Sequence, residues 1–152
     1  MNAVQFLKQE HEKAKAEFAK VLSAPATKRG ELWAKLEPEL KIHEQIEDTC
    51  VYKPLSQDAD GRDKVLAEWR EAHQEEVDTV EDLLEEIEDL EPDSQEWLDK
   101  VTEVHTNLRS HIQEEEGQIF PRLSKVWDEA RLKQAGQELE GMKASKTGAA
   151  RH

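Results

Sequence analysis

Apolar residues recur at intervals of three and four through four long stretches of this sequence, each closed by breaking residues. The first stretch runs from about Asn2 to Leu22 and stops before "SAPAT". The second starts near Thr27, carries Pro38 inside it and ends at "YKP". A proline there predicts a kink or a restart, because it lacks the amide donor and crowds the preceding turn. "SQDADGRD" reads as a turn, with Asp60 or Gly61 near the start of the third helix. That helix reaches about Leu90, and "EPDS" closes it and caps the fourth, which runs to about Ile119 with Pro121 beyond. A weaker segment from Leu123 to about Met142 predicts a further helix. "KASKTGAARH" reads as a frayed tail. Short loops between helices of similar length imply antiparallel neighbours. The expected fold is all-α: an up-down-up-down antiparallel four-helix bundle with a short C-terminal extra helix.

The stripes that would face inward are interrupted in a regular way. They are Val4, Leu7, His11, Ala14, Phe18 and Val21; then Trp33, Leu36, Leu40, His43, Glu47 and Cys50. The third is Leu66, Trp69, His73, Val77, Val80, Leu84 and Ile87, and the fourth Trp97, Val101, Val104, Leu108, His111 and Glu115. Every stripe is broken by a histidine, and two are broken again by a glutamate four residues later. One such histidine is more often a core residue with a single backbone partner. Four carry more weight. With the boundaries above and a rise of about 1.5 Å per residue, all four fall within roughly one turn of the same level.

Imidazoles converging inside a core are costly as bare polar groups, and unpaired carboxylates beside them more so. A cation removes both costs, since it binds neutral imidazole and ionised carboxylate. A step of four residues turns about 40° round a helix, so each His–Glu pair addresses one point. A glutamate between two cations can give one oxygen to each, so four histidines with two glutamates favour a dinuclear site. Nitrogen and oxygen donors without thiolate suit iron or manganese, with zinc as a further option; iron is favoured. "HEQIE" (His43 to Glu47) lacks the second histidine of a zinc-protease motif. The Glu-x-x-His spacing of ferritin-type bundles fails too, because Lys8, Leu40, Arg70 and Leu108 precede the four histidines by three. His105 turns off the inward face and reads as a surface or rim residue, and His152 belongs to the tail.

Composition narrows the class further. Charged residues make up 37% and the net charge is −14, which argues against a nucleic-acid binder. Acid runs such as "EEVDTVEDLLEEIEDLEPD" read as solvated helix face. The single cysteine, Cys50, excludes an internal disulfide framework, fits a reducing compartment and reads as a packed core thiol. No apolar run approaches the about 20 residues of a membrane span, and the start has no signal-peptide core. A soluble, cytoplasmic protein is expected, a monomer or weak dimer.

Taken together these residues resemble the hemerythrin-like family, the HHE cation-binding domains. The family pattern is a His on helix one, His-x-x-x-Glu on helix two, a His on helix three and His-x-x-x-Glu on helix four. Here these are His11, His43 with Glu47, His73, and His111 with Glu115; the endings "VYKP" and "IFP" are similar too. The resemblance covers about residues 1–123 as the bundle, leaving 124–144 as a helical extension and 145–152 as a flexible tail. It implies two iron ions bridged by Glu47, Glu115 and a solvent-derived oxo or hydroxo group, binding dioxygen, peroxide or nitric oxide at an open position. Two features depart from the oxygen carriers. Val77 stands where they place a second helix-three histidine, and the helix-four carboxylate, Glu115, comes four rather than five residues after its histidine. Glu44, or else Glu76 or solvent, fills the position lost at Val77. These departures weigh against reversible oxygen carriage and towards peroxide or oxygen chemistry, including peroxidase- or catalase-like turnover. An iron- or oxygen-responsive sensor module without turnover, or oxygen storage, is the alternative.

Overall fold

The computed structural model describes residues 1–58 and 64–150, with the side chains of residues 58, 64–67 and 148–150 left aside. Everything regular in it is helical: α1 (Ala3–Ser23), α2 (Ala26–Glu47), α3 (Lys53–Asp58), α4 (Lys64–Glu88), α5 (Gln95–Glu114), α6 (Phe120–Val126) and α7 (Glu129–Ala150). A π turn, Asp48–Tyr52, joins α2 to α3, and a second, Glu115–Ile119, joins α5 to α6.

Local chemistry starts the helices. Asn2 caps α1 through a reciprocal pair: its Oδ1 accepts from the Gln5 amide at 2.9 Å, and Gln5 Oε1 accepts from the Asn2 amide at 3.0 Å. Ser94 Oγ accepts from the Trp97 amide at 3.2 Å and opens α5, as "EPDS" predicts.

The prolines do not end their helices. Pro38 neither ends nor restarts a helix, since α2 runs through it. Pro54 and Pro121 are not stops either, because each rod continues, to Asp58 and Val126. Each π turn closes with a five-residue bond, Lys53 N–H to Asp48 O and Phe120 N–H to Glu115 O. The proline that follows falls where the ladder changes register, so it has no regular α-type bond to break.

α1 packs along α2, α5 and α7; α4 packs along α5, and α7 also reaches α2. The docking of α7 is close. A Cβ on Gly136 would run into the Met1 carbonyl oxygen and lie 2.7 Å from the Asn2 carbonyl carbon. α7 continues to Ala150, so the residues read as a tail from 145 are helical to that point; Arg151 and His152 lie outside the described residues. The Asp60–Gly61 turn and the Leu66 side chain also lie outside them.

Two apolar clusters fill the interior. One gathers Phe6, Leu7, Ile46, Tyr52, Phe120 and Leu139, among others, where α7 covers the bundle. The other gathers Phe18, Trp33, Leu36, Leu84, Trp97 and Leu108. In α1 and α4 the second cluster follows the histidine of the stripe; in α2 it precedes it, and in α5 all of it but Ile112 does. A buried polar layer of His11, Glu47, His73, His111 and Glu115 falls between the two. On α4, Trp69, Val77 and Val80 are only half-buried. Val77 and Val80 line a groove of about 310 Å³ between α2 and α4, which also touches Glu44 and His73.

Candidate metal centre

The 3–4 spacing of each stripe delivers its polar residue to the same layer. Glu47 and Glu115 are fully buried there, His11, His73 and His111 nearly so, and His43 is 12% exposed. Their ligating atoms form two sets, each within 4.8 Å: His11, His43, Glu47 and Glu115; and Glu44, Glu47, His73 and His111. Glu47 belongs to both. Its Oε2 lies 3.0 Å from His43 Nε2, and its Oε1 lies 3.2 Å from both His73 Nε2 and His111 Nε2. Glu115 Oε1 is 3.0 Å from His11 Nε2, and Glu115 Oε2 is 3.2 Å from His111 Nε2.

Apart from the hydrogen bond between His111 Nε2 and Glu47 Oε1, these contacts are close but leave most of their atoms unpaired. The buried atoms left without a hydrogen-bond partner include His11 Nε2, His43 Nε2, His73 Nε2, Glu44 Oε2, Glu47 Oε2 and Glu115 Oε1. Orphaned donors and acceptors in one place inside a core are expensive. A cation suits them, because two ligands about 2.1 Å from one ion and at right angles to each other sit about 3.0 Å apart. The donor set of imidazoles and carboxylates therefore fits cation binding at both sets.

Without a cation, protons supply the compensating charge. Burial by itself pushes the His43 imidazole down, but Glu47, with Glu44 and Glu115, outweighs it and lifts the ring to about 9. His73 is raised to about 10 against the same burial, by the carboxylates of Glu44 and Glu47. His111 is raised well above its ordinary value, with Glu115 the main cause opposing burial. Glu47 is pushed up by burial yet held well below the ordinary carboxylate range by the charge on His43.

The expected residues His11, His43, Glu47, His73, His111 and Glu115 all meet in this layer. Of the candidates for the place lost at Val77, Glu44 lies inside, its Oε2 3.1 Å from His73 Nε2. Glu76 reaches the far side of a ring instead: its Oε2 is 2.9 Å from His111 Nδ1. His105 stays outside, half-buried with its ring 5.0 Å from Phe18. Four contacts were not read from the sequence. Glu116 holds His11 Nδ1 at 2.8 Å. Tyr52 donates its hydroxyl to Glu115 Oε2 at 2.7 Å and stacks on His73, centroids 4.1 Å apart. Phe120 lies parallel to His11 at 5.8 Å. A signal existed: Tyr52 and Phe120 each stand nine residues after a helix histidine, His43 and His111. Cys50 is buried with its thiol 3.3 Å from the Met142 sulfur, and burial lifts that thiol to about 11. No helix among the described residues is long and apolar enough to cross a membrane.

The profile of the hemerythrin HHE cation-binding domain matches residues 2–123. No curated protein matches the chain. Among solved structures, a hemerythrin HHE cation-binding domain-containing protein from Mycobacterium kansasii is similar, at 28% identity and a TM-score of 0.81. The match covers 99% of this chain and 91% of that one. With its paired histidine–glutamate sets held in one buried layer, the chain belongs to the hemerythrin family of HHE cation-binding domains.

Proposed function

We propose that this is a di-iron hemerythrin-like protein that binds dioxygen, peroxide or nitric oxide at an open position on one ion. In this reading α1, α2, α4 and α5 form an up-down-up-down bundle, with α7 as the extra helix. The alternating order of the two apolar clusters about the histidines supports that topology. The observation that carries the function is the pair of four-donor sets sharing Glu47. His11, His43, Glu47 and Glu115 would hold one ion; His73, His111, Glu44 and Glu47 would hold the other. When bound, an iron pair supplies redox-active positions left open by the protein donors.

The residues around it favour a small ligand. A cavity of about 20 Å³ adjoins His11 and His43 and is walled by Leu36, Leu40 and Leu108. That is room for about one water-sized molecule. A cavity of this size beside the first set suits a diatomic gas or peroxide, and Glu10, Lys13, Glu39 and Glu44 line it with the leucines. The protein is taken as cytoplasmic and monomeric or weakly dimeric, with peroxide turnover one outcome of loading.

Metal analysis and the visible spectrum of the purified chain test this reading. About two irons per chain with an oxo-bridge absorption band are expected. Colourless protein that cannot be reconstituted with iron overturns it. A metal-responsive module without turnover is the second reading, favoured by the orphaned donors, which leave the metal-free core uncompensated. A chelator that lowers the melting temperature, with no peroxide consumed by the iron form, supports that module.

A further inference from the structure

Room beside the donor layer is unevenly shared. Cavities of about 20, 30 and 10 Å³ border His11 and His43, Glu44 and His111, and His73 and His111 respectively. About 10–15 Å³ of such space holds one water, so these admit a molecule or two and no ion with its hydration shell. The groove between α2 and α4, at about 310 Å³, has room for both. Leu40, Val77, Val80 and Leu84 give it an apolar lining, and Glu44 and His73 of the second set border it. His73 is only 3% exposed and neither of its ring nitrogens has a hydrogen-bond partner; Glu44 Oε2 is buried and unpartnered too. The same groove carries the exposed Glu81 and the half-buried Asp48. Facing these carboxylates is Lys41, which Glu37 engages at 3.1 Å, and Asp48 keeps a longer contact with Arg70, 3.7 Å.

We propose that this groove is the path by which a hydrated divalent cation enters the buried layer, with Glu81 and Asp48 drawing it in and Glu44 its first protein ligand. An acidic mouth raises the local concentration of cations. The ion keeps its shell along the apolar lining until it meets Glu44 Oε2, an oxygen with no hydrogen bond to give up. That oxygen replaces one water, and His73 Nε2, 3.1 Å from it, replaces the next. The narrow cavities would instead require an ion stripped of water beforehand, which small divalent ions resist. A second wide cavity, about 320 Å³, lies beside Glu76 and Thr79 and borders no member of either set. The inference rests on cation binding in the buried layer, as in the reading above.

The test uses the full-length chain, stripped of metal and mixed with Co²⁺ in a stopped-flow spectrometer, with release followed by a chelator. Wild type should load at a rate that rises in proportion to Co²⁺. Val77→Phe and Val80→Trp, which fill the groove, should slow loading and release alike by about tenfold or more. Stoichiometry and affinity, read by calorimetry, should not change, because a path alters both rates by one factor. Thr79→Trp, beside the second wide cavity, should load as wild type does. Glu81→Lys, at an exposed position, should slow loading by about tenfold at about 0.01 M salt and by little at about 1 M. Should the groove-filling variants fail to fold, this arm decides, and an unchanged rate at low salt sinks the proposal. Filled grooves that load at the wild-type rate, or lose affinity without loading more slowly, overturn it. So does a wild-type rate independent of Co²⁺, which means that the helices must part first. Wild type binding no Co²⁺ brings down the cation reading itself; uptake indifferent to the groove brings down only the inference.

Discussion

The rod from α2 through the first π turn and the rod from α5 through the second are variations on one pattern, and their differences are instructive. Both place a histidine, a glutamate four residues on and an aromatic nine residues on, around a π turn. The residue after the histidine is Glu44 on one rod, inside the donor layer, and Ile112 on the other, packed in the apolar core. Five residues after the histidine, Asp48 faces Arg70 at 3.7 Å, whereas Glu116 holds His11 Nδ1 at 2.8 Å. One rod therefore supplies an extra donor at the centre, and the other supplies an outer brace to a neighbouring ring. A repeated frame fixes where the two donor sets sit; the unmatched residues decide how they differ.

Glu47 and Glu115 give the sharpest contrast. Glu47→Gln should abolish loading of both positions, since Glu47 belongs to both sets, whereas Glu115→Gln should spare the His73–His111 ion. Metal stoichiometry after dialysis separates the two: near zero for the first variant and near one per chain for the second. Equal losses in both would mean that the carboxylates are interchangeable and the rods equivalent.

Next in size are the braces. Glu116 orients His11 and Glu76 orients His111, each through the ring nitrogen facing away from the donor layer. Such partners typically account for about 10–100-fold in metal affinity. Glu116→Gln should weaken the first ion within that range and Glu76→Gln the second. A crossed pattern, with each variant weakening the other ion, would undo the assignment of sets.

How much of this could be read from the chain alone depends on what kind of signal each feature leaves. The 3–4 spacing announced the long helices and the six layer residues, because period and burial are the same fact seen twice. The continuations past Pro54 and Pro121 left no such mark. A change from four- to five-residue bonding has no residue signature, and a proline normally argues for a stop. Glu44 and Glu76 were indistinguishable on helical position; the difference is which nitrogen of which ring their carboxylates reach. Glu116 hid in "EEEG", one acid among many. Tyr52 was visible as an aromatic before a proline, but nothing in the pattern gives the direction of its hydroxyl.

Acidity separates the empty from the filled state. His43 rises from 6.5 to about 9 and His73 from 6.5 to about 10 in the metal-free fold. Because the folded values lie above the unfolded ones, the stability they give is complete below about pH 6.5. It is lost as pH rises through 9 to 10. Metal-free protein should therefore melt progressively lower between pH 7 and 10, while loaded protein, whose imidazoles are already deprotonated, should not. Loading at pH 7 should also release at least two protons per chain, read with an indicator in weak buffer. A metal-free melting profile that stays flat across this range would show that the imidazoles carry no compensating charge.

The smallest effect tests the helix pairs rather than the layer. Across α4 and α5, Lys100 meets Glu86 at 2.8 Å, an attractive surface pair. Across α1 and α2, Glu17 faces Glu39, with Lys13 3.9 Å from the one and 3.6 Å from the other. Partial burial, then the contact with Glu39, lifts Glu17 from 4.5 to about 7, against the pull of Lys13 and Lys20. An acid raised in the fold costs stability where it must ionise, so the penalty is full above about pH 7 and absent below 4.5. Glu17→Gln should raise the melting temperature by about 1–2 °C at pH 8, the scale of a partly exposed site, and leave it unchanged at pH 4. Lys100→Gln, breaking the opposite kind of contact, should lower it slightly at pH 8. If Glu17→Gln also destabilises at pH 8, Lys13 outweighs the second carboxylate, and the two helix pairs are held together in the same way.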